Sequence, residues 1–152
     1  MIPFEQLPDN ARLWSYQSDR ELTATEKNWL EEILPPFLQE WAAHGAKLNA
    51  YGAVLGNHHL VLVVHEDQAN ASGCSIDSSV RFIKQIEKEL GISFFNRLKM
   101  LTMSDEGQHV YVNYADLENL PEGTLVYNNT VSTVGEFKNS WKSPVKKIIF
   151  QQ

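Results

Sequence analysis

Apolar residues in this chain follow two rhythms, and the switches between them mark its elements. In "RLWSY", Arg12 to Tyr16, apolar and polar residues alternate, the period of a half-buried strand. Further on, the repeat lengthens to four. Trp29, Ile33, Phe37 and Trp41 recur with Leu30, Leu34 and Leu38 beside them, which gives a broad helical apolar face. Thr23 and Glu26 stand at capping-box spacing ahead of it, each able to satisfy an orphan helix amide. Pro35 and Pro36 interrupt the face, and Leu34 before a proline is pushed out of the α region. The pattern therefore predicts a kinked helix or two helices meeting there. Gly45 falls where a left-handed C-cap is wanted.

"AKLNAYGAVLG" and "HHLVLVVHE" read as two strands joined by a Gly-Asn turn near Gly56 to His58. Ile76, Val80, Ile83, Ile86 and Leu90 then return to helical spacing, with Gly91 placed to stop the helix. Residues 97–103 and 108–114 flank "SDEG" as a second hairpin, and "ADLEN" predicts a short helix ending before Pro121. "GTLVYN" is a further strand. Thr133 and Glu136 repeat the capping-box spacing before a helix towards Trp141. Pro144 ends that helix, and "VKKIIF" is left as a last strand or a packed tail.

The first hundred residues thus run β-α-β-β-α-β, the order of the split βαβ, or ferredoxin-like, arrangement. In that arrangement one face of an antiparallel sheet buries both amphipathic helices. The expectation is an α+β protein forming one domain over residues 1–152. Its ferredoxin-like core occupies about residues 11–103, and a C-terminal β/α extension occupies about residues 104–152. No repeat or low-complexity linker divides it.

Composition narrows the function classes. The 43% apolar and 21% charged residues are those of an ordinary globule rather than a disordered chain. One cysteine cannot make an internal disulfide. With no basic-then-apolar leader at the start, that points to a reducing, cytoplasmic setting. The longest aliphatic run, Leu60 to Val64, is far too short to span a bilayer, so no membrane role is expected. The net charge of −6 opposes non-specific nucleic-acid binding. The cluster Lys138, Lys142, Lys146 and Lys147 follows a stretch, residues 100–137, with six acids and no Lys or Arg. It reads first as a solvated tail balancing acidic neighbours.

The lone cysteine lies in "NASGCSID", between an apolar strand and an amphipathic helix. Ser75 or Asp77 can serve as N-cap there, and Gly73 frees the backbone. The first turn of a helix exposes unpaired amides and a partial positive charge, which favours an anion or a thiolate. Ser72, Gly73, Cys74, Ser75 and Asp77 are therefore a candidate anion-binding turn. Cys74 itself reads as a small apolar filler, a binding group or a nucleophile. A nucleophile needs a base within hydrogen-bond reach, and His65, nine residues upstream at the end of the apolar strand, is a candidate that spacing alone does not bring to the sulfur. The pair Asn128 and Asn129 can offer amides to the same ligand or satisfy their own turn.

Metal binding is not expected. Adjacent His58 and His59 point to opposite faces of a strand, whereas His59 and His65 share a face about 20 Å apart, so they read as exposed strand-end histidines. The four tryptophans, Trp14, Trp29, Trp41 and Trp141, read as packing anchors. No motif asks for a cofactor.

"LWSYQSDRELT", "FLQEWAAHGAKL", "ASGCSIDSSVRFIKQIEKELG" and "YNNTVSTVGEFKNSW" together resemble a family of small uncharacterised bacterial proteins often labelled ABC transporter ATPases. That label does not fit the residues. A nucleotide cradle of that type needs G-x-x-x-x-G-K-[ST], and no lysine here directly follows a glycine. The expectation is therefore a non-enzymatic binding module whose turn takes an anionic ligand or a protein partner. The alternative is a thiol-dependent enzyme using Cys74.

Overall fold

The computed structural model describes residues 4–44, 48–66 and 73–150, with side chains left aside at 42–44, 48–49, 66, 73–75 and 149–150. Strand β1 (Arg12–Gln17) leads into helix α1 (Ala24–His44), then β2 (Leu48–Leu55), β3 (His59–Glu66) and α2 (Gly73–Leu90). There follow β4 (Lys99–Met103), β5 (His109–Asn113), a 3-10 helix (Tyr114–Asn119), β6 (Leu125–Tyr127), α3 (Val134–Ser140), β7 (Lys142–Pro144) and α4 (Val145–Phe150). The protein is α+β, with antiparallel sheets and helices.

The strands fall into two sheets, ordered β1-β3-β2 and β5-β4-β6-β7. Alternation along β3 sends Leu60, Leu62 and Val64 to one face, where α1 and α2 lie side by side. Leu30, Leu34, Leu38 and Trp41 from α1 and Ile83 and Ile86 from α2 are all buried there. The stacked rings of Phe37 and Phe82 clamp the two helices together. Each such aliphatic side chain contributes about 1.5–3 kcal/mol on burial. The close approach of α1 needs a glycine beneath it, because a Cβ on Gly52 would come within 3.2 Å of Leu34 and Leu62 methyls.

Helix α1 is continuous, not two helices. Pro35 and Pro36 are exposed, and so are Glu31 and Glu32, whose carbonyls lose their amide partners to the prolines. Those carbonyls sit on the solvent side, while the apolar stripe runs on unbroken along the opposite face. Its start is the predicted capping box: Thr23 N donates to Glu26 Oε1 (2.9 Å) and Glu26 N to Thr23 Oγ1 (3.1 Å). The Arg20 guanidinium forks onto the same carboxylate at 2.8 and 2.7 Å. With the Thr23 amide, it holds the Glu26 carboxyl down to about 2. The expected C-cap, Gly45, lies outside the described residues.

Three local expectations shift. The β2–β3 turn has three residues, Gly56 to His58, rather than two, with Gly56 at φ +56°. The tail "VKKIIF" is helix α4, which buries Val145 and Ile148 one turn apart against Leu117 and Val126. The largest change concerns β4, expected in one antiparallel sheet with β1, β2 and β3. It pairs with β5 and β6 instead. Part of the place beside β1 goes to the segment before α3: Leu13 N donates to Ser132 O (3.0 Å), and Val134 N to Ala11 O (3.0 Å).

Candidate functional site

Where β1 passes β4, one side chain replaces a backbone ladder. Gln17 Nε2 donates to Lys99 O (3.1 Å), and Leu101 N donates to Gln17 Oε1 (3.0 Å). The primary amide thus presents β4 with the donor and acceptor that a neighbouring strand would supply. Gln17 Oε1 also accepts from Asn129 Nδ2 (3.0 Å). In turn Asn129 Oδ1 accepts from Ser15 Oγ (2.8 Å) and Trp141 Nε1 (3.3 Å). These groups form a polar strut between the sheets.

Beside the strut opens a cleft of about 780 Å³ along the outer edge of β1. Because Leu13 N faces outward, the amides of Ser15 and Gln17 face outward too, and no described backbone group pairs with them. Aromatic rings line the walls, among them Trp14, Tyr16, Phe94, Phe95 and Tyr114. The charged lining residues are Arg12, Arg97 and Lys99, with no carboxylate among the described residues of the wall. In a chain of net charge −6, this wall carries three cations and no described acid. The Arg12 guanidinium lies over the Trp14 ring, 5.2 Å from its centroid.

The two asparagines from the sequence line this cleft, with different jobs. Asn128 Oδ1 accepts from Thr130 N (3.1 Å) and Thr130 Oγ1 (2.6 Å), the self-satisfied turn that paired asparagines favour. Asn129 is committed to the strut. Of the other predicted residues, Ser72 lies outside the described set. Gly73, Cys74 and Ser75 form the first turn of α2, and the side chains of Cys74 and Ser75 are outside the described set. The helix therefore begins earlier than Ile76, and neither Ser75 nor Asp77 is its N-cap; Asp77 is exposed within the helix. Val80, farther along α2, reaches the cleft wall. His65 is half-buried near the end of β3.

The reading that missed most was that of the histidines. His58 and His59 are buried, 8% and 2% exposed, because β5, β6 and Trp141 close over the end of β3. His58 Nδ1 shares a hydrogen bond with Tyr111 Oη (2.8 Å), and His109 Nε2 shares one with Tyr127 Oη (2.9 Å). Nothing local in "GNHHL" shows this, since the covering residues lie some fifty or more positions downstream. Among the described residues no group of three or more His, Cys, Asp or Glu is placed to hold a metal ion, and no helix is long and apolar enough to cross a membrane.

A second groove, at the start of α1 between Thr23, Lys27 and Asn57, is shallower and already satisfied by the capping box. In the lysine-rich end, two of the four lysines pair with acids, Lys138 with Asp9 (3.3 Å) and Lys146 with Glu122 (2.7 Å).

Comparison with known proteins leaves the assignment to this geometry. No family model matches the chain, nor does any curated protein or solved structure.

Proposed function

We propose that the protein is a small binding module, acting in the cytoplasm, that holds a small organic anion with a flat apolar body in the cleft between its sheets. The observation that carries this reading is the composition of the wall: Arg12, Arg97 and Lys99 among aromatic rings, with no acid described beside them. Cations steer and pair an anionic group, and the rings and Met100 bury a flat apolar body. The outward amides on β1 add directional donors to a carboxylate or sulfonate. The expected ligand turn at the start of α2 lies on the helix whose Val80 reaches the wall, and it is tested below as an alternative site. The three-stranded sheet with α1 and α2 on one face is, in the same reading, a ferredoxin-like half extended by the second sheet.

Matched acids and amides separate charge recognition from simple apolar binding. Thermal shift and calorimetry with 2-naphthoate, and with 2-naphthamide as its neutral twin, are expected to show binding of the acid alone. Arg97→Glu combined with Lys99→Glu is expected to weaken it at least tenfold, about 1.4 kcal/mol. Equal binding of acid and amide, or an unchanged affinity in the double variant, overturns the reading. Loss on Gly73→Val with none in the double variant would move the site to the α2 turn. A thiol-dependent reaction at Cys74 is the competing reading, and it requires alkylation by iodoacetamide with a midpoint below about 8.5.

A further inference from the structure

We infer that the seam of His58, His59 and His109 makes the joint between the two sheets acid-sensitive, so that a drop from neutral to mildly acidic pH loosens the packing that shapes the cleft. His59 is 2% exposed, and its Nε2 has no partner among the described residues. Its ring sits 5.0 Å from Tyr127 and 4.8 Å from Trp141, which belong to the second sheet and its approach. Next to it, the His58 ring lies 5.3 Å from that of His109. His58 and His109 thus touch, and His109 and His59 flank the same Tyr127 ring, at 5.8 and 5.0 Å, where β5 and β6 cover the start of β3.

What surrounds them decides the sign. From β5 come His109 and Tyr111, and from β6 Tyr127, over whose ring the Lys142 ammonium of β7 lies at 5.8 Å. Asn129 and Trp141 close the far side, and Gln17 lies opposite His59 on β1. Glu21 acts on His58, and Asp19, Glu21 and Arg20 act on Tyr111, all at the outer end of the seam. None of these carboxylates acts on His59. A proton on that ring would be repelled by His58 and His109, with only Asn129 to favour it and no carboxylate acting on it.

Burial first, then the neighbouring His58 and His109, push His59 from 6.5 down to about 3, with Asn129 opposing. Burial, and then His109, also lower His58. An unfolded chain takes up these protons near 6.5, whereas the folded one refuses them, so the unfolded state binds more protons below that pH. Stability is full above about 6.5 and falls as the pH drops, roughly tenfold in the folding constant per pH unit from His59 alone.

The test is denaturant unfolding followed by tryptophan fluorescence at pH 7 and pH 5, a window in which ordinary carboxylates stay largely ionised. The expected result is a folding constant about thirtyfold lower at pH 5. His59→Gln should remove most of that drop. Should His59→Gln fail to fold, His109→Gln at an exposed position of β5 takes its place and should make the drop shallower by removing one repelling neighbour. Equal stability at the two pH values, or the full drop retained in the folded variant, overturns the inference. No ligand enters this experiment, so its outcome is independent of the anion reading.

Discussion

The two faces of the β1-β3-β2 sheet solve the same packing problem differently. Beneath α1 and α2 the face is apolar along much of its length, with Leu60, Leu62, Val64, Ile83 and Trp41 forming a dry layer. On the opposite face, Leu13, Val61 and Val63 pack against Val131 and Val134 at one end. At the other end the row turns to Ser15, Gln17 and His59, the residues on which the second sheet docks. An apolar layer binds by area and tolerates any neighbour of the right shape. A polar joint binds by matched donors and acceptors, leaves room for a cleft, and fails sharply when one partner is lost.

The contrast can be broken from either side. Leu62→Ala, beneath the helices, should have the largest effect, about 2–5 kcal/mol in denaturant unfolding, because it opens a cavity in a fully packed layer. Next, Gln17→Leu should cost about 2–3 kcal/mol, since Lys99 O, Leu101 N and Asn129 Nδ2 lose their partner. Its signature is faster hydrogen exchange at the Leu101 amide, which Leu62→Ala should not select. Trp141→Phe keeps the ring against His59 but removes the donor to Ser15 and Asn129, for a loss of about 1 kcal/mol. Smallest is Arg20→Ala at the α1 cap, outside both faces. Arg20 is partly exposed and solvent screens its pair, so about 0.5–1 kcal/mol is expected at neutral pH. Because Glu26 is held at about 2 instead of 4.5, that contribution is present above about 4.5 and disappears as the pH falls towards 2. The variant's unfolding should therefore converge on the parent's in strong acid.

Much of the dry face was legible in the chain. The stripe Trp29 to Trp41 and the spacing Ile76 to Leu90 carry their own period, and strands and capping boxes announce themselves within a few residues. The polar joint was not legible, because its logic is long-range. Gln17 looks like the last residue of a strand, and only the folded chain shows its amide standing in for a ladder to β4. His58 and His59 look like exposed strand-end residues, yet His58 stands in the turn ahead of β3, and what buries the pair arrives from β5, β6 and Trp141. Asn128 and Asn129 drew notice for their composition, and turn chemistry explains the first but not the second. Continuous α1 shows the reverse case: of the two outcomes that Pro35 and Pro36 allow, two separate helices are excluded, and the apolar stripe runs on past the prolines.

The segment before α3 also sets an order of events. Gly135 N donates to Asp9 O (2.9 Å), and Val134 N donates to Ala11 O, so amides opening the helix are satisfied by carbonyls more than a hundred residues away. A ribosome delivers Asp9 and Ala11 early and Val134 late. Until the last fifth of the chain emerges, the outer rim of β1 waits with nothing to complete it. Closure spanning such a distance is slow, and throughout that interval an exposed strand rim invites other nascent chains.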